Sequence, residues 1–162
     1  AIDRMWIQKA EWDALIKQGE TGGPIPKRLA KRLARFHLLD FTRGEPQPWT
    51  LSDIKTVDFS IQKTAPNTFS LSGSSLISRQ NRGFDSAILG KIIIDEAGKP
   101  TTFDLTVLGD HWGDGPFTKG SRKGKSPLGM AFSLADPTVP ENRIRPQGSH
   151  WLRGYWEAEV QH

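Results

Sequence analysis

The stretch FDSAILGKIIIDEAGKPTTFDLTVLG, residues 84–109, decides the fold. Phe84, Ile88, Ile92 and Ile94 share one parity, EAGKP turns the chain, and Phe103, Leu105 and Val107 alternate with Thr102, Asp104 and Thr106. A period of two on both sides of a Gly/Pro turn predicts a long antiparallel hairpin, because successive strand side chains point to opposite faces.

The same period extends in both directions. Upstream, Val57, Phe59 and Ile61 alternate with Asp58, Ser60 and Gln62; after APN the run FSLSGSSLIS continues until Gly73, which is expected to shift the parity as a bulge does. Downstream, Leu128, Met130, Phe132 and Leu134 alternate until ADPTVPENRIRPQG breaks the pattern. About five antiparallel strands follow, as a twisted sheet or partial β-barrel.

The first forty residues change period. In AEWDALIKQGETGG, Trp12, Leu15 and Ile16 lie three and four apart before a glycine-rich stop, which predicts a short helix. Pro26 sits where a second helix can start, and KRLAKRLARFHLL carries Leu29, Leu33 and Phe36 on one stripe. Its cations Lys27, Arg28, Lys31, Arg32 and Arg35 fall on the other side and read as a solvated face. The fold class is therefore α+β, with an N-terminal amphipathic helix on the sheet. One domain spans residues 1–162: a helical part over 1–41, the sheet over 50–135 and a C-terminal extension over 136–162, with TRGEPQPWT (42–50) as the hinge.

At 162 residues the chain can bury a single core without a metal or disulfide staple. Lys and Arg number 22 against 18 Asp and Glu, and the resulting +4 favours anionic partners without requiring one. Cysteine is absent, which excludes disulfides, thiolate nucleophiles and Cys-based zinc sites. No apolar run reaches the length that spans a bilayer, so no membrane insertion is expected. The first residue is Ala1, which fits a processed chain; the expected location is extracytoplasmic, in the periplasm or secreted, in a bacterium.

The stretch GDHWGDGPFTKGSRKGKSPLG, residues 109–129, draws attention as chemistry. It is not a Walker loop: GSRKGKS has three residues between its glycines, and a strand rather than a helix follows. Glycine-rich backbone beside Lys119, Arg122, Lys123 and Lys125 can still hold phosphate, sulfate or carboxylate. Flanked by two strands, the loop should leave one sheet end and return to it, as a lid or recognition loop does. His111 with Asp110 or Asp114 offers a base and an orienting carboxylate. The four histidines are scattered with no metal-ligand spacing, so neither a metal nor a cofactor is expected, and no Gly-x-Ser-x-Gly elbow is present. Of six tryptophans, Trp49 and Trp112 sit in loops and could offer flat faces. Arg143, Arg145 and Arg153, close in sequence to Trp151, Tyr155 and Trp156, could wall the same pocket if the C-terminus folds back.

These residues point to a non-enzymatic domain that binds an anionic or aromatic-stacking ligand, a glycan or a partner protein through Trp112, Lys119, Arg122, Lys123, Lys125 and Trp49. Nucleic acid is not expected as a partner. The alternatives are a small hydrolase using His111 with Asp110 or Asp114, and a carbohydrate-binding module presenting Trp49 and Trp112.

Overall fold

A computed structural model describes residues 1–157 of the chain; the side chains of Trp151, Leu152 and Arg153 lie outside the described set. Helices α1 (Lys9–Thr21) and α2 (Lys27–Phe36) flank a two-residue strand, β1 (Gly23–Pro24). Five long strands follow: β2 (Ile54–Ala65), β3 (Thr68–Arg79), β4 (Arg82–Ile94), β5 (Pro100–Trp112) and β6 (Ser126–Ser133). A last short helix, α3, runs over Leu152–Trp156. The sheet is antiparallel throughout, in the order β1-β2-β3-β4-β5-β6. Among the described residues it contains six strands rather than five, and it stays open rather than closing into a partial barrel, since β6 pairs there only with β5.

The alternation read from residues 84–109 holds: Phe84, Ile88 and Ile92 of β4 and Leu105 and Val107 of β5 all point into the core. The parity does not shift at Gly73. Pairing on both sides of it is continuous, and Phe69, Leu71, Ser75 and Ile77 of β3 all face inward. Serine misleads here because Ser75 takes an inward position and hydrogen-bonds Ser86 of β4 at 3.0 Å, hydroxyl to hydroxyl, so neither buried group is unsatisfied. Gly73 is required for another reason: its φ is 149°, and a Cβ would lie 1.9 Å from the Asp58 carbonyl oxygen.

Helix α2 is not a cover with a wet side. Leu29, Leu33 and Phe36 are buried as expected, but so are Arg32 (0%) and Arg35 (5%). The solvated-face expectation fails for these two because partners far along the chain receive them. Arg32 makes two 2.6 Å bonds to the Glu11 carboxylate and donates Nε to the Tyr155 carbonyl and Nη2 to the Trp156 carbonyl. Arg35 donates Nε to the Trp49 carbonyl, whose own N–H donates back to the Arg35 carbonyl. α2 thus lies between the sheet on one side and the N-terminal arm with α3 on the other. The arm and α3 meet directly, with Trp6 stacked on Trp156 at 6.2 Å and the Trp6 N–H donating to the Tyr155 hydroxyl. No helix among the described residues is long and apolar enough to cross a membrane.

Candidate functional site

The inner face of the sheet changes character along its length. Around β1 and α1 it is aliphatic and aromatic; at the opposite end the same inward positions carry Arg79, Arg82 and His111. Three segments close that end: residues 38–50 after α2, the Gln80-Asn81 turn, and residues 113–118. A narrow cleft between them, too tight in this conformation to hold a water molecule, is lined by Leu39, Asp40, Pro46, Trp49, Arg82, His111 and Thr118.

The segments are pinned by charge. Arg43 donates Nε to Asp40 (2.7 Å), Nη1 to Asp114 (2.7 Å) and the Thr118 carbonyl (2.8 Å), and Nη2 to the Gly113 carbonyl (3.2 Å). Arg79 makes a forked pair with Asp53, its Nη2 at 2.6 Å. Burial would raise the carboxyls of Asp40 and Asp53, but hydrogen bonds from Thr42 and Arg43 to the first, and from Arg79 and Thr50 to the second, hold both below the usual range. Asp114 drops to about 2, chiefly because the Ser121 N–H and hydroxyl donate to it, with Arg43 adding.

Arg82 stands apart. It is 7% exposed, its guanidinium lies 4.0 Å over the Trp49 ring, and among the described residues its one hydrogen bond is from Nη2 to the Gln47 carbonyl at 3.1 Å. Among the described residues no carboxylate pairs with it, although a buried charge ordinarily acquires one. Burial, then Arg79 and Arg43, lower its affinity for its proton, opposed by Asp53. Residue 115 has to be glycine for the loop to come this close: a Cβ there would meet Arg82 Nη1 at 2.5 Å and Thr118 Oγ1 at 2.8 Å.

His111 faces the same cleft. It is 5% exposed, tilted against Phe84, and its ring has no hydrogen-bond partner among the described residues. Burial lowers its pKa below 6.5; Arg43 and Arg82 push the same way, against Asp40 and Asp114. The ring is neutral near pH 7, with free nitrogens beside an unpaired guanidinium. Asp110 does not join it. Neighbours on a strand point to opposite faces, so Asp110 lies across from Asp85 on the outer face. Asp114, held as a carboxylate down to about pH 2 and engaged by Arg43, is a poor proton acceptor for catalysis.

The remaining sequence candidates are scattered. Trp49 is 1% exposed and anchors the 38–50 segment through Nε1 to the Leu38 carbonyl, so its ring is no exposed platform. Trp112 is on the outer face, flat against Gly83, with Lys125 Nζ 4.9 Å from its ring. Lys119, Arg122 and Lys123 are exposed on the outer half of the loop and form no ion pair among the described residues. Arg143 and Arg145 are exposed, while the C-terminal segment packs on α2 and the N-terminal arm, with Gln147 donating to Asp3 and Gly148 against Phe36. Among the described residues no three His, Asp or Glu side chains gather as metal ligands. Arg82, Arg43, Asp40 and Thr118 carry no motif. The signal that could have found Arg82 is parity, since it shares the inward register of Phe84, Ser86 and Ile88.

No protein-family model, no characterised protein and no solved structure matches the chain.

Proposed function

We propose that the domain binds an anionic group at the polar end of the sheet, with Arg82 as the charge that receives it and His111 and Thr118 as hydrogen-bonding partners. The observation that carries this reading is the buried Arg82 guanidinium without a carboxylate, in a site where Arg43 and Arg79 are already paired. A carboxylate or phosphoryl oxygen arriving there would gain a charge-assisted hydrogen bond and cancel a buried charge. Lys119, Arg122 and Lys123, on the exposed half of the adjoining loop, raise the local concentration of anions and speed their arrival. The binding reading is favoured over the hydrolase because His111 has neither Asp110 nor a free Asp114 to orient it.

The test is calorimetric titration with inorganic phosphate, pyrophosphate and citrate, followed also by the His111 ring resonances. Saturable binding of at least one probe that shifts His111 and disappears in Arg82→Gln is expected. Absence of saturable binding by all three, or binding that survives Arg82→Gln in a folded protein, would overturn the assignment.

A further inference from the structure

The two edges of the sheet are treated differently. The middle of the β2 edge is paired, Ser60 and Ile61 by β1 and the Phe59 carbonyl by the Ile25 N–H. At the β6 edge no strand among the described residues takes that place. The Leu134 N–H donates to the Phe103 carbonyl, and the register continues unbroken along β6, so Ser126, Leu128, Met130 and Phe132 exchange their backbone bonds with β5. The intervening residues, Pro127, Gly129, Ala131 and Ser133, therefore direct their backbone groups away from the sheet. All four are exposed, and those groups have no partner among the described residues. Apart from Pro127 the edge lacks the usual protections: it has no bulge and no charged side chain.

The flanking charges are unlike at the two ends. Lys123 and Lys125 precede β6, and Asp136 follows it; all three are exposed. An antiparallel strand of the same sequence brings the basic end of one against the acidic end of the other, twice. In the register centred on Met130, Gly129 faces the partner's Ala131 as a hydrogen-bonded pair. Leu128 then meets Phe132 on the inner face, extending its half-buried apolar row, while Lys123 and Lys125 flank the partner's Asp136. From this geometry we infer that β6 is a self-association edge: two copies of the chain pair antiparallel through it into one continuous sheet. This goes beyond the anion site and does not depend on it.

Sedimentation velocity across micromolar to submillimolar concentrations tests the inference on the whole chain. A species of twice the 18.1 kDa chain mass should grow with concentration and weaken with added salt. Ala131→Pro removes an outward N–H that β5 does not use and should leave a folded monomer, as judged by circular dichroism. Ser133→Pro makes the same test should the first variant fail to fold. Lys123→Glu with Lys125→Glu should weaken the dimer, and adding Asp136→Lys should restore it. A chain that is monomeric up to its solubility limit, or a dimer that persists in a folded proline variant, overturns the inference.

Discussion

Replacing Arg32 by methionine tests the buried centre of α2. The guanidinium is fully buried, its two 2.6 Å bonds hold a Glu11 side chain that is only 10% exposed, and it is the partner of the Tyr155 and Trp156 carbonyls. Methionine fills most of the volume but leaves Glu11, a largely buried carboxylate, without its ion-pair partner. Removing one member of a buried pair costs about 3–5 kcal/mol, against a total stability of about 5–15 kcal/mol for a domain. At roughly 2–4 °C per kcal/mol for a chain of this size, Tm should fall by about 6–20 °C. Urea denaturation followed by circular dichroism measures the loss, and Arg32→Met combined with Glu11→Leu should recover part of it. The pH dependence provides a second check. Burial would raise Glu11, but the Arg32 hydrogen bonds, with the Gln8 N–H and the charges of Arg32 and Arg28, hold it below 4.5. A depressed carboxyl contributes stability above its unfolded value and loses it as pH falls through the folded value, so wild type and variant should converge on acidification. A loss under about 1 kcal/mol at neutral pH, or a double variant as weak as the single, would refute the account of this pair.

Two further outcomes follow from the site and the sheet. Because burial and the neighbouring arginines lower the His111 pKa, the unfolded chain binds a proton that the native one refuses, and stability should decline as pH drops below about 6.5. An NMR titration should place the His111 midpoint below that of a free histidine; a midpoint at or above 6.5 without ligand would count against the cleft geometry. Gly73→Ala should cost more than about 1 kcal/mol, because alanine must adopt a positive φ with its methyl against the Asp58 carbonyl, while Gly129→Ala, whose Cβ has 3.7 Å of clearance, should be close to neutral.

The sheet was legible because its inward positions are apolar at a period of two, and that pattern needs no distant information. Where polar residues occupy inward positions the legibility fails. Ser75 breaks the visible alternation but satisfies it in space through Ser86, and Arg82 looks like a turn residue although its parity points it inward. The cations of α2 show the same limit. A stripe of arginine beside a stripe of leucine describes a surface helix until Glu11 and the carbonyls of residues 155 and 156 are known to lie opposite it. Within the 109–129 loop, His111 was identifiable as a candidate, but the pairing of Asp114 with Arg43 joins residues 71 positions apart and leaves no local trace.

The order of the strands and the position of α2 impose a schedule on assembly. Each long strand pairs with the one made just before it, so the meander can grow from β2 to β6 in step with synthesis, using contacts that are short in sequence. α2 is made early, yet its Arg32 waits for carbonyls 123 and 124 residues downstream. Until residues 155 and 156 are made, Arg32 has its Glu11 partner but lacks the two carbonyls that complete its hydrogen bonding. Residues 155 and 156 therefore complete the packing of α2, and a product that stops at the end of β6 would hold its strands without them.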